Sequence, residues 1–280
     1  MNKRMTMAVL AGLLATFAVN ASSTTASAAA DTTPPRLRVA PWAQFVLGSQ
    51  MRTYEVTNGV ESSVVRQITW RAWDPNGVCG SKMVADTDTG YPVVTEGANV
   101  RSAHVGGGNH AERGGDMFLI WGWQITVRDC AGNESTASVG GSQPAFTQED
   151  GRELSYGGPG PAELQFSDGW DVSHCTCWSG GMAEKTIRAG ASATITNDFT
   201  AGQRIALVMG TGPHHGQFDV YVDDVRESTV DTYSADPGHQ IVVWSHAMTT
   251  AGTHVVKLVN LATAGRQRLD LDTVITDRYA

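Results

Sequence analysis

Short segments of alternating apolar and polar residues, separated by turn residues, constrain the fold of this chain most strongly. In GQFDVYVDDV, Phe218 and Val220 fall on one face of an extended strand, and Asp219 falls on the other. A strand with this period of two buries one face and exposes the other. Similar segments recur from about residue 147 to residue 277, without long helical periodicity. The sequence therefore predicts an all-β protein built from antiparallel sandwiches.

The first 30 residues are predicted to be a secretory signal peptide. The basic start MNKR precedes the apolar run MTMAVLAGLLATFAV and the small-residue tail ASSTTASAAA, where Ala26-Ser27-Ala28 fits a cleavage site. The alternative is a membrane anchor, but the apolar run is shorter than the roughly 20 residues that span a bilayer. We therefore expect a secreted, extracellular protein that has no membrane association after cleavage.

The remaining chain is long enough for two ordinary domains. The first block, residues 31–140, contains the strand-like segments VVRQITWRAW and MFLIWGWQITVRD, and its core is expected to hold Trp70, Trp73, Trp121 and Trp123. GGSQPAF predicts a linker over residues 141–146, and residues 147–280 form the second block. The net charge is −8 and the sequence has no basic cluster, so nucleic acid is not an expected partner.

Each block resembles a known domain family. ITWRAWDPNGVC and WQITVRDCAGNES resemble segments of the bacterial immunoglobulin-like domains of secreted proteins, which implies a sandwich of about seven strands. GPHHGQFDVYVDDVRESTVDTYS, AGTHVVKLVNL and RLDLDTVIT resemble segments of galactose-binding-like jelly-roll modules. Asp224 stands where those modules usually have a hairpin glycine, and Asp tolerates the left-handed conformation better than most residues. The second resemblance implies a non-catalytic module, often one that binds carbohydrate.

Four cysteines in an exported chain favour disulfide bonds. Cys79 and Cys130 lie in the same block, and their pairing leaves Cys175 and Cys177 for each other. Two alternatives remain for HCTCW. His174, Cys175 and Cys177 are candidate metal ligands, but zinc needs four ligands, and no second ligand motif stands out. A redox pair is the other alternative, although the usual dithiol motif is CxxC.

The sequence contains no recognisable catalytic motif. GxSxG, HExxH and a phosphate-binding loop are all missing from it, so we expect a protein that is not an enzyme. Asp270 and Asp272 fall on one face of the last strand and are candidate ligands for a structural Ca²⁺, the one cofactor considered. The alternative is a pair of solvated surface carboxylates.

The ligand site is expected on the loops at one end of the second block. GTGPHHG, TYSADPGH and HCTCWSGG supply His214, His215, Tyr233 and Trp178, which combine flat rings with hydrogen-bonding groups. The predicted function is therefore binding of extracellular carbohydrate or a cell-wall polymer. Two alternatives remain open, an adhesive protein that binds another protein and a glycoside-acting hydrolase.

Overall fold

The structure is a computed structural model that describes residues 31–40, 43–56, 59–87, 93–97, 102–108, 111–113, 116–118, 120–140, 142–148 and 162–279. The predicted signal peptide, residues 1–30, lies outside the described residues, as does the side chain of Trp121. Within the described ranges, no helix has the length and apolar character needed to cross a membrane.

Strands account for most of the described residues. The strands that precede residue 141 are β1 (Arg36–Val39), β2 (Gln44–Phe45), β3 (Arg52–Val56), β4 (Gly59–Trp73), β5 (Val78–Thr87), β6 (Val93–Glu96), β7 (Ser102–Gly108), β8 (Ala111–Arg113), β9 (Asp116–Phe118), β10 (Ile120–Asp129) and β11 (Glu134–Gly140). The later strands are β12 (Ser142–Gln148), β13 (Glu163–Phe166), β14 (Asp171–His174), β15 (Met182–Thr186), β16 (Ser192–Phe199), β17 (Arg204–Thr211), β18 (Gln217–Val222), β19 (Val225–Asp231), β20 (Gly238–Ala247), β21 (Gly252–Asn260) and β22 (Leu269–Tyr279). A 3₁₀ turn, Ser179–Gly181, lies between β14 and β15.

The first sandwich consists of two antiparallel sheets. In one sheet the long strand β4 pairs with β1, β2, β3 and β7, and the facing sheet has the order β11-β10-β5-β6. Their core contains Ile68 and Trp70 from β4, packed with Trp123 and Ile125 from β10. These β4 residues are two apart, so they share the inward face that the alternation in VVRQITWRAW predicts.

The second sandwich also consists of two antiparallel sheets. One has the order β14-β15-β22-β17-β20, with β12 paired to β22, and the other has the order β13-β16-β21-β18-β19. Phe218 and Val220 face the core, where they join Leu207, Val256 and others in one apolar cluster. The all-β, antiparallel fold that the sequence predicts is confirmed.

The two sandwiches meet at the outer face of the sheet that contains β17. Phe45, Met51 and Val64 of the first sandwich pack with residues of β12, β17, β20 and β22 in one buried cluster. Backbone hydrogen bonds join residues 48–51 to β20, for example Gly48 N–H to Val242 O at 2.8 Å. Each fully buried large apolar side chain contributes about 1.5–3 kcal/mol, so this junction is a substantial apolar contact. Residues 32–280 form one compact unit.

The predicted linker and one predicted core residue differ from the structure. Residues 142–148 form β12, which pairs with β22 from Ser142↔Tyr279 to Gln148↔Thr273. The linker prediction was therefore wrong. The Gly and Pro of GGSQPAF suggested a linker, but an edge strand tolerates both residues. Trp70 and Trp123 are buried as expected, but Trp73 is 58% exposed. It is an odd number of residues from Trp70 and so lies on the opposite face of β4.

The β18–β19 hairpin agrees with the prediction for its turn. Asp223 and Asp224 have φ angles of 49° and 63°, which places both in the left-handed region. Two consecutive residues of this kind make the turn that joins right-twisted strands most easily. Asp224 therefore takes the conformation expected of the hairpin glycine that it replaces.

Candidate functional site

Three loops meet at one end of the second sandwich. They connect β17 to β18 (residues 212–216), β19 to β20 (232–237) and β21 to β22 (261–268). Gly216 N–H donates to Arg268 O at 3.0 Å, and Thr232 N–H donates to Gly216 O at 3.0 Å. A Cβ at Gly216 would collide with the backbone carbonyl of Arg266. Glycine is therefore needed where the loops come closest.

Tyr233, in the loop between β19 and β20, has an exposed aromatic side chain. Its side chain is 54% exposed. The guanidinium carbon of Arg266 lies 4.8 Å from the centre of its ring, within the range of a cation–π contact. Arg266 also binds both carboxylate oxygens of Asp231, at 2.9 and 3.2 Å. Tyr233 N–H donates to Asp231 at 2.9 Å, so Asp231, Tyr233 and Arg266 hold one another in a fixed arrangement.

The charges of Arg266 and Asp231 offset each other. Burial of Asp231 opposes its ionisation, but hydrogen bonds from Arg266, from the Tyr233 amide and from Gln217 outweigh burial and lower the pKa of Asp231. The carboxylate is therefore ionised at neutral pH. The ring of Tyr233 thus lies beside a neutralised ion pair rather than a net charge.

His214 and His215 have different environments although they are adjacent. His214 is exposed, whereas His215 is 8% exposed. Nε2 of His215 lies 2.7 Å from a carboxylate oxygen of Asp270, which accepts its hydrogen bond. This hydrogen bond joins the 212–216 loop to β22. Of the two, His214 is the one whose side chain faces solvent.

Asp270 and Asp272 share a face of β22, as the sequence predicts, but both are fully buried. The interpretation of this pair as solvated surface carboxylates was therefore wrong. Arg268 Nε donates to both oxygens of Asp270, at 2.9 and 2.8 Å. The residues around Asp270 do not fit a calcium ion, because a guanidinium already binds both oxygens and His215 approaches one of them. Asp272 accepts a hydrogen bond from Ser179 N–H at 2.9 Å.

Trp178 lies in the loop that the sequence assigns to the site, but its side chain is only 3% exposed. Its ring meets the edge of His239 with centroids 4.6 Å apart. Trp178 was predicted to offer its ring to a ligand. The structure instead buries it, because the loop folds back against β17, where Trp178 lies so close to Gly210 that a Cβ there would clash.

Both predicted disulfide bonds are present. Cys79 is bonded to Cys130, and Cys175 is bonded to Cys177. The second bond closes the turn before Trp178, and Gln240 Nε2 donates to Cys177 O at 3.1 Å. The bond between Cys175 and Cys177 leaves neither sulfur as a thiolate for the alternative metal site with His174.

The site contains two residues that sequence reasoning did not select. Asp231 and Arg266 are 35 positions apart, and the pairing emerges only when the loops converge. Asp231 lies in the STVDTYS segment that supports the jelly-roll resemblance, which is the one signal that could have drawn attention to it.

The comparisons with known proteins give distant structural neighbours. No protein-family model and no curated protein matches the chain. The CBM36-1 domain of a multidomain xylanase from the hindgut metagenome of Trinervitermes trinervoides aligns with a TM-score of 0.34 and 11% identity, over 48% of this chain and 96% of that one.

Two further neighbours are an exo-β-1,3-galactanase from Phanerochaete chrysosporium and the CBM51-2 domain of Clostridium perfringens ZmpB. The galactanase has a TM-score of 0.32 and 12% identity, over 84% of this chain and 69% of that one. The ZmpB structure has a TM-score of 0.29 and 12% identity, over 57% of this chain and 38% of that one. Each TM-score is below 0.5, so function has to be argued from this chain's own residues.

Proposed function

We propose that the protein is a secreted, non-catalytic binding protein that recognises extracellular carbohydrate, such as a cell-wall polymer. In this proposal the second sandwich is a galactose-binding-like jelly roll that carries the site, and the first is an immunoglobulin-like domain. The observation that carries the proposal is the ring of Tyr233, which is 54% exposed and held by Arg266 at a point where three loops converge.

The chemistry around Tyr233 suits a neutral sugar. A pyranose offers a C–H face that stacks on an aromatic ring and a rim of hydroxyl groups that need directed hydrogen bonds. Tyr233 supplies both a ring and a hydroxyl, and His214 is exposed on the neighbouring loop. The ion pair of Arg266 with Asp231 adds hydrogen-bonding groups but no net charge. A neutral, hydroxyl-rich ligand therefore fits better than a charged one.

The burial of the carboxylates supports a non-catalytic role. Glycoside hydrolysis uses two carboxyl groups that flank a substrate bond. Asp270 and Asp272 are fully buried and accept hydrogen bonds from His215, Arg268 and Ser179. Neither is placed to reach a sugar that stacks on Tyr233 at the surface.

A glycan array and a cell-wall pull-down with the mature, oxidised protein test this proposal, followed by calorimetry on the glycans found. We expect Kd values of roughly micromolar to millimolar, because a small open site buries little surface. Tyr233→Ala is expected to weaken binding about three- to tenfold, and Tyr233→Phe should retain most of the affinity because the ring remains.

Val225→Ala is the matched control. Val225 is 69% exposed at the β18–β19 turn, at the other end of β19 from Tyr233, so its removal should leave binding unchanged. Cleavage of the bound sugar would contradict the proposal in favour of a hydrolase. Unchanged binding by Tyr233→Ala would move the site elsewhere, and a protein ligand in place of a glycan would favour adhesion.

A further inference from the structure

A second aromatic surface lies on the outer face of the first sandwich. The register of β1 with β4 pairs Arg36 with Trp73 and Arg38 with Arg71. Directly paired residues of an antiparallel ladder point to the same side, as do residues two apart on one strand. The four side chains therefore form a two-by-two array on one face, which we term the arginine–tryptophan surface.

This surface faces away from the core of the first sandwich. The intervening residues Leu37 and Ala72 are partly buried and pack against that core. The four members of the array are themselves exposed, and Trp73 is 58% exposed. They line a shallow groove of about 390 Å³ together with Ala72. The exposed ring of Trp73 thus lies in a groove that it shares with three arginines.

The arginine–tryptophan surface concentrates positive charge on a chain whose net charge is −8. Three arginines line the groove, and no Asp or Glu is among its lining residues. In the described part of the chain, these arginines form no ion pair with a carboxylate. The Arg36 guanidinium lies 5.6 Å from the centre of the Trp73 ring, so a flat ring and cationic groups are adjacent.

We propose that the arginine–tryptophan surface binds an acidic polysaccharide, with Trp73 stacked on a sugar ring and the arginines paired to its carboxylates. Arginine binds carboxylates through two parallel hydrogen bonds, which gives both strength and orientation. Nucleic acid binding requires a wider basic surface than three arginines provide. This second site lies in the other sandwich and does not depend on the Tyr233 site.

Calorimetry of the full-length mature protein against polygalacturonate tests the proposal, with the methyl-esterified polymer as the neutral probe. We expect polygalacturonate to bind and the esterified polymer to bind at least about tenfold more weakly, because its carboxylates are masked. The double variant Arg38→Ala/Arg71→Ala should lose about tenfold or more in affinity for polygalacturonate. Trp73→Ala should lose about three- to tenfold, and Trp73→Phe less.

Two control variants separate specific recognition from general charge attraction. Arg128→Ala changes another exposed arginine of the first sandwich, in a groove that also contains Glu134, and should bind as the unaltered protein does. Arg38→Lys/Arg71→Lys keeps the charge but loses the paired hydrogen bonds, so its affinity should fall between those of the alanine variant and the unaltered protein. Thermal melts establish that each variant is folded.

Equal binding of the esterified polymer, or unchanged binding by the alanine variant, would overturn the proposal. So would equally tight binding of duplex DNA or of phosphatidylserine vesicles through the same arginines, because the surface would then be a general anion patch. Tyr233→Ala should leave polygalacturonate binding unchanged. Failure of this proposal is thereby distinguishable from failure of the proposed function.

Discussion

Tyr233 on the second sandwich and Trp73 on the first are both exposed rings beside an arginine, yet their charges differ. Arg266 beside Tyr233 is bound by both oxygens of Asp231. Arg36 beside Trp73 has two further arginines nearby and no acidic residue in the groove. The same pair of residue types can thus form a neutral surface or a cationic one. The difference lies in the neighbouring carboxylate, which is present beside Arg266 and missing from the groove of Arg36.

The two surfaces also differ in what holds them. The loops around Tyr233 are fixed by hydrogen bonds from His215 and Arg268 to the buried carboxylate of Asp270. The arginine–tryptophan surface lies on the paired strands β1 and β4. The Cys79–Cys130 bond lies in the facing sheet of the same sandwich, near the start of β5 and the end of β10. Variants that separately remove the disulfide bond and the carboxylate of Asp270 test this difference.

The largest expected effect is loss of the first disulfide bond. The double variant Cys79→Ser/Cys130→Ser removes a constraint between residues 51 positions apart, and the chain-entropy model gives a cost of roughly 4 kcal/mol. Cys175→Ser/Cys177→Ser opens a ring of only a few residues and should cost about 1.6 kcal/mol. Chemical denaturation of both variants measures the order, and a larger loss for the second pair would contradict it.

The next effect concerns the buried support of the Tyr233 loops. Asp270→Ala leaves the buried imidazole of His215 without its hydrogen-bond partner, whereas Arg268, which is 41% exposed, can turn to water, so the expected cost is about 1–3 kcal/mol. The free energy of unfolding, from urea denaturation, should fall by about this amount. Asp236→Ala, an exposed carboxylate in a neighbouring loop, should change it by less than about 0.5 kcal/mol. Similar losses for both variants would show that the network is not a support.

The third effect converts one surface into the other. Asp231→Asn removes the charge that offsets Arg266, so the Tyr233 site becomes cationic while its ring remains exposed. We expect neutral glycans to bind a few-fold more weakly and polygalacturonate to gain a second, weaker site, measured by calorimetry. Asp219→Asn is the control, because Asp219 pairs with Arg226 at 2.8 Å on the outer hairpin. The same changes in glycan binding with Asp219→Asn would show that the charge of Asp231 is not what distinguishes the two surfaces.

The smallest effect is on the pH dependence of the Tyr233 site. Because the folded-state pKa of Asp231 is lowered, its stabilising contribution is present above the unfolded carboxyl pKa of about 3.9 and is lost as pH falls through the lower folded value. The carboxylate is partly exposed, so screening by solvent keeps this contribution small. Asp231 should therefore cause no change in affinity for a neutral glycan from pH 8 to pH 5 in calorimetric titrations. A decline within that range would show that another group titrates at the site.

Local pattern was sufficient to predict much of this molecule. Alternation along the strands assigned Phe218 and Val220 to the core, and Asp224 was expected in the left-handed conformation that it adopts. The predicted export signal and the cysteine count together favoured both disulfide bonds. These features depend on residues that are close in sequence or on a small number of possible pairings.

The candidate site was harder to predict, because adjacent residues there have different environments. The sequence does not distinguish His214 from His215, and only the fold places His215 against Asp270, which is 55 positions away. Trp178 follows a turn among Ser and Gly, which suggests exposure, but the loop folds back and buries it. The linker prediction failed for a related reason, since residues 142–148 become a strand only because β22 offers them an open edge.

The sequence by itself determined the class of fold and the alternation along its strands, because strand periodicity is a local property. It favoured the cysteine pairs that the structure contains, because four cysteines allow only a few pairings. Only the tertiary structure decided which aromatic rings reach solvent and which charge each one meets. Tyr233 meets Arg266 and Asp231, and Trp73 meets Arg36, through contacts between distant segments. Side-chain exposure and ion pairing depend on which strands and loops lie side by side, and no single segment of the chain encodes that arrangement.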